Sequence, residues 1–182
     1  MALEVAKLVV DALTPLAVVA VGYVLNRRLR KVEQAQWANQ TVITRRLQIF
    51  DKLAPPLNRM LCFATFVGRW KEIQPAQVIA LKREVDETMY ANRLLFSDDL
   101  FTAYQAFMAA MFAMFATADA DAPIRAPISR PGLGDRRNLP WWNPALQSCF
   151  STGDPATLDE ISAAYDTLSR QFRTDLYVLH SR

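Results

Sequence analysis

The longest apolar run of the chain comes first. From Leu8 to Leu25 the sequence reads LVVDALTPLAVVAVGYVL, eighteen residues with Asp11 as the only charge. As a helix rising 1.5 Å per residue this stretch covers about 27 Å, close to the ~30 Å hydrocarbon core of a bilayer. Asp11 lies in its first turn, within reach of headgroups, and Pro15 removes one backbone bond that a membrane helix tolerates better than a soluble one. No polar stripe interrupts Leu16 to Leu25, as a soluble amphipathic helix would require. Neither a basic segment in front nor a small-residue cleavage site behind marks a signal peptide. Arg27, Arg28, Arg30 and Lys31 follow at once, which places the C-terminal side in the cytoplasm by the positive-inside rule.

Beyond the span the pattern turns helical and stays so. Residues 26–54 contain no glycine, and apolar positions recur at Leu29, Val32, Ile43, Leu47 and Phe50. This predicts a helical neck whose near-heptad seam carries Gln36 and Asn39, a pattern compatible with self-association. Pro55 and Pro56 predict its end, because the residue before a proline avoids the helical region. Leu57 to Ile73 predicts a second helix, with Leu57, Met60, Leu61, Ala64, Val67 and Trp70 on one face. Pro75 opens a third, with Val78, Leu81, Val85 and Met89 inward and Lys82, Arg83, Glu84, Asp86 and Glu87 outward.

Ser97, followed by Asp98 and Asp99, predicts a helix start, with the serine capping and the acids at the positive end of the helix dipole. LFTAYQAFMAAMFAMFATA then runs from residue 100 to 118 without a charge. A second membrane span fits its length. Its acidic flanks and its alanine, methionine and phenylalanine content favour a central core helix instead. Residues 119–153 lose all periodicity: five prolines, with Gly132 and Gly134, accompany Arg125, Arg130, Arg136, Arg137, Trp141 and Trp142. Long irregular connections of this kind are usually functional or disordered. Asp154 and Pro155 predict the start of a last helix, striped by Ile161, Tyr165, Leu168, Phe172 and Leu176.

Composition sharpens this picture in two ways. The net charge of +3 is unevenly spread, with +7 concentrated in residues 26–93, directly after the apolar segment. Cys62, Cys149 and His180 are the only cysteines and histidine, too few and too scattered for a His/Cys zinc site, and no cofactor is implied. GLGD at 132–135 lacks the lysine and the preceding strand of a phosphate-binding loop. The arginines beside paired tryptophans have the chemistry to hold a partner, an anionic headgroup or single-stranded nucleic acid, and Arg130, Arg136, Arg137, Trp141 and Trp142 are the partner-binding candidates. The alternative has the tryptophans pinning the loop to the bundle while the arginines face water.

Two resemblances add to this. NRRLRKVEQAQWANQTVITRRLQIFDKLAPPLNRM, continuing to about residue 107, resembles a group of small bacterial proteins with one N-terminal membrane helix and a helical cytoplasmic domain, and implies that architecture without an activity. Arg173 and His180, with six residues between them on the last helix, resemble more weakly the R-x(4–6)-H signature of HEPN ribonucleases, all-α domains that pair to cut RNA. Some membrane-anchored effectors with a degenerate version of it form pores. The resemblance implies Arg173 as charge and His180 as proton shuttle.

The expected fold is all-α: an anchor at 1–25, a neck at 26–54 and a helical domain at 55–182 carrying the irregular loop. The expected protein is a single-pass bacterial inner-membrane protein whose cytoplasmic domain binds a protein partner or copies of itself without catalysis. The alternative is an HEPN-like effector.

Overall fold

The computed structural model describes residues 2–113, 121–153 and 155–177; of these, the side chains of 2–22, 24, 30–36, 38, 39 and 177 lie outside the description. The chain is mainly helical. Among the described residues it has four α-helices, α1 (Ala2–Thr65), α2 (Pro75–Ala91), α3 (Asp98–Met111) and α4 (Leu158–Tyr177), with short 3-10 turns between them. It divides into two units, Met1–Thr44 and Arg45–Arg182. Among the described residues no helix is long and apolar enough to cross a membrane. The apolar stretch 8–25 lies outside the residues whose side chains are described, apart from Tyr23 and Leu25, which are both exposed.

In the first unit α1 carries Leu29 and Trp37 exposed, and Thr41 and Thr44 return their hydroxyls to the carbonyls of Trp37 and Gln40. Of the predicted seam, Val32, Gln36 and Asn39 fall outside the described side chains.

The second unit holds the core. Ile49, Leu53, Leu57, Met60 and Ala64 recur every three or four residues along α1 and are all buried. The helix break expected at Pro55 and Pro56 does not occur, and α1 continues to Thr65. Each proline withholds an N–H from the carbonyl four residues earlier, at a cost of about 3 kcal/mol in a helix interior. Asp51 and Lys52, whose carbonyls lose those partners, are exposed, so water can serve them. Burial of Leu53, Leu57, Met60 and Phe63, at about 1.5–3 kcal/mol each, outweighs the loss.

The helix ends instead in a left-handed residue, Phe66, at φ 60°, with the Val67 N–H returning to the Cys62 carbonyl at 3.1 Å. That is a Schellman closure built on a phenylalanine. The second helix expected to reach Ile73 is therefore the last turns of α1, a turn through Gly68 and a 3-10 turn at Trp70–Glu72. Val67, expected on the apolar face, is 59% exposed.

α2 follows its pattern. Pro75 is its first residue, and Val78, Val85 and Met89 are buried. Its polar face is less uniform than expected, because Lys82 and Asp86 are half-buried and Asp86 accepts a hydrogen bond from the Tyr104 hydroxyl on α3. Burial first, and the Asp86 bond second, hold the Tyr104 phenol far above its usual range, so it stays a donor.

α3 starts as predicted, with the Ser97 hydroxyl accepting from the Leu100 N–H at 3.1 Å. It stops at Met111, well short of residue 118. Phe112 is extended and forms an antiparallel bridge to Ile124, which bridges Phe150 in turn. At fourteen residues α3 is too short for a second span, and Leu100, Phe101, Tyr104, Phe107, Met108 and Met111 are buried in the core. Residues 114–120 lie outside the description.

α3 packs along α4. α4 begins at Leu158, not at Pro155, and Asp154 lies outside the described residues. Its start is a reciprocal capping box: the Thr157 N–H donates to Glu160 at 2.8 Å, and the Glu160 N–H to the Thr157 hydroxyl at 3.2 Å. Ile161, Leu168 and Phe172 are buried, and Phe172 sets its ring 5.2 Å from that of Phe50. Phe50, placed on the neck seam by its spacing, thus packs within the second unit.

Candidate functional site

The irregular loop is ordered from within. The Ile124 N–H reaches the Cys149 carbonyl and the Ser151 N–H returns to Ile124, both at 2.8 Å. The Arg125 N–H donates to the Met111 carbonyl, also at 2.8 Å. A small hairpin follows, β1 (Ser129–Arg130) against β2 (Gly134–Asp135), in register Ser129 to Asp135. Gly134 sits at φ 153°, and a Cβ there would meet the Trp70 ring at 2.7 Å, so the hairpin backbone lies directly on that indole.

The loop arginines divide by use. Arg136 is fully buried, with its guanidinium carbon 4.1 Å from the Phe63 ring centroid, 4.0 Å from Phe66 and 5.7 Å from Trp70. Its terminal nitrogens donate to the carbonyls of Phe63, in the last turn of α1, and of Pro127. A cation at a helix C-terminus satisfies an orphan carbonyl and opposes the negative end of the dipole. Burial pulls the guanidinium down to about 9, partly opposed by Asp135. Its Nε finds no partner among the described residues. Arg125 does the same for α3, donating to the Ala109 carbonyl at 2.8 Å.

Arg136 therefore cannot reach a partner, and its expected role in binding is corrected: it caps α1 inside a sleeve of three aromatic rings. Trp141 and Trp142 also pin the loop. The Trp141 indole N–H donates to the Lys71 carbonyl at 2.7 Å, and the Trp142 ring lies 6.1 Å from Phe150. Arg137 folds onto Asp135 at 2.7 Å, and that pairing holds the Asp135 carboxyl below its usual range. Only Arg130 of the five candidates stands exposed and without a partner among the described residues, next to the half-exposed Leu133 at the hairpin tip.

Arg173 is exposed on α4 beside an apolar groove of about 270 Å³, with Phe50, Ala54 and Leu57 of α1 opposite. His180 lies outside the described residues, so the pair is neither brought together nor separated. Two residues further along, the Asp175 carboxylate is buried and accepts from the Ser97 N–H at 2.7 Å, while Arg46 donates to the Asp175 and Leu95 carbonyls. These bonds join α1, the start of α3 and the end of α4.

A larger cavity, about 540 Å³, opens between the last two turns of α1 and the first two of α2. Asn58, Arg59 and Cys62 face it from α1, Arg69 and Glu72 from the turn, and Ile73 and Leu81 provide apolar wall. Its pattern was missed because Asn58 and Arg59 look like an ordinary solvated stripe on an amphipathic helix. The concavity comes from the turn at Phe66 to Gly68, whose left-handed Phe66 no residue type announces. Among the described residues no group of acidic, cysteine or histidine side chains could hold a metal ion. Compared with protein-family models, with curated proteins and with solved structures, the chain matches none.

Proposed function

We propose that the chain is a single-pass bacterial inner-membrane protein, anchored through residues 8–25, whose helical domain faces the cytoplasm and works by binding a protein partner or further copies of itself. The continuity of α1 from Ala2 to Thr65 carries this reading, because one helix contains both the apolar stretch, with Asp11 its single charge, and the core positions Ile49, Leu53 and Leu57. Tyr23 and Leu25, at the end of that stretch, are exposed, as side chains facing lipid would be. The four cations at 27–31 supply the orientation.

Binding is favoured by what the surface of the second unit offers. Arg130 and Leu133 stand out together at the hairpin tip, a cation beside an apolar side chain, while the remaining loop arginines and tryptophans are engaged internally. Leu94, at 98% exposure, adds an apolar side chain with no structural use. The test is extraction of cell membranes at alkaline pH together with capture of cross-linked partners. The full chain stays with the membranes, deletion of residues 2–25 releases it, and Arg130→Ala with Leu133→Ser abolishes capture at unchanged helical content. Release of the full chain sinks the anchor, and unchanged capture removes the hairpin tip.

A further inference from the structure

The cavity between α1 and α2 is donor-rich. Among the described residues no ion pair or hydrogen bond engages Arg59, and Arg69 meets only Glu72, at 3.7 Å on an exposed surface. A contact that long between solvated side chains is worth little and yields readily. Gln77, which lines the cavity, has its amide oxygen committed to the Gln74 N–H at 2.8 Å, so its NH2 group is the end left to donate. Two guanidiniums and an amide therefore outweigh one carboxylate at the mouth. The wall behind them, Ile73, Leu81 and Ala80, is apolar. A volume of about 540 Å³ suits a small metabolite rather than a bare ion or a polypeptide.

We propose that this cavity binds a small organic anion, with a phosphate or carboxylate head held by Arg59 and Arg69 and an apolar body against Ile73 and Leu81. Guanidiniums are matched to such heads by their planar, forked donors, and charge-assisted bonds of this kind are the strong ones. The site does not depend on where the chain resides, so its failure and that of the anchor are separate results.

Cys62 lines the cavity and reports on it. A Cβ placed on Gly68 would lie 3.7 Å from the Cys62 sulfur, so the thiol sits under the turn that carries Arg69. With Cys149→Ser as background, Cys62 of the full chain in neutral detergent is alkylated by iodoacetamide, with and without phenyl phosphate as probe. Millimolar phenyl phosphate is expected to slow the reaction at least about fivefold, the equivalent of roughly 1 kcal/mol. Inorganic phosphate, lacking a body, should protect far less, and benzyltrimethylammonium, with the opposite charge on a similar body, not at all. Arg59→Gln and Arg69→Gln should each weaken protection, read as the ratio of rates with and without the probe in the same variant. Ala80→Trp, a substitution at an exposed position, should fill the cavity and remove protection. Equal protection by the cation, by phosphate alone, or in the arginine variants overturns the proposal, as does no protection in the parent.

Discussion

Arg136 and Phe63 meet twice: the guanidinium lies 4.1 Å from the centre of the phenylalanine ring and also donates to the carbonyl of the same residue. The first contact is cation–π and the second caps α1, so a single side chain from the loop closes the helix that carries much of the core. Replacing it with methionine preserves much of the stacking volume but leaves the Phe63 and Pro127 carbonyls unpaired. Arg136→Met is expected to cost about 2–4 kcal/mol, read as a lower urea midpoint, because hydrogen bonds to a charged group are lost in a buried place. Arg130→Ala, at the exposed tip of the same loop, should stay within about 0.5 kcal/mol of the parent. Equal effects would show that the aromatic sleeve contributes nothing.

Gly134 gives the same closure a steric test. A methyl group there meets the Trp70 ring at 2.7 Å, with φ at 153°, where L-residues are strained. Gly134→Ala should destabilise by about 1–3 kcal/mol, whereas Gly132→Ala, at φ 78° with open space around it, should show backbone strain of only about 1 kcal/mol. Comparison of their melting temperatures separates contact from conformation.

The prolines inside α1 offer the opposite sign. Pro55 is exposed and lies in a continuous helix, so Pro55→Ala restores an N–H donor to the Asp51 carbonyl. Stability is expected to rise by about 1–3 kcal/mol. A fall in the denaturation midpoint would mean that the packing of Leu53 and Leu57 requires a bend that the proline supplies.

The capping box of α4 predicts an acid-labile end. Hydrogen bonds from the Thr157 backbone and then its side chain hold the Glu160 carboxyl below its ordinary 4.5. A carboxylate depressed in the folded state stabilises above the unfolded value and loses that contribution as pH falls through the folded one. The melting temperature should therefore decline from about pH 4.5 downward more steeply in the parent than in Glu160→Gln. Parallel profiles would remove the box from the account.

Much of this fold was legible in the sequence, and the exceptions have a common cause. α2, the Ser97 cap and the Ile161, Leu168 and Phe172 stripe follow from local pattern and are present. TLDE at 157–160 carried the capping-box signature, yet Asp154 and Pro155 offered a competing start that the chain does not use. The premature end of α3 has no local signal, because AMFATA continues the helical composition and only the bridge from Phe112 to Ile124 stops it. Pro55 and Pro56 mislead for the same reason, since their local cost is overridden by burial along α1. At the candidate site the error was one of direction. An arginine-rich loop suggests an outward anion site, whereas Arg125 and Arg136 turn inward to the carbonyl ends of α3 and α1. The cavity at Arg59 depended on a left-handed phenylalanine and could not be read from residue types.

The central claim, an anchored chain with its helical domain in the cytoplasm, is tested most directly by paired C-terminal fusions in a bacterial host. Green fluorescent protein fluoresces only when it remains on the cytoplasmic side, and alkaline phosphatase is active only beyond the membrane. Fluorescence should sediment with the membranes, and the phosphatase fusion should be inactive. Active phosphatase, or fluorescence left in the supernatant, would contradict the claim.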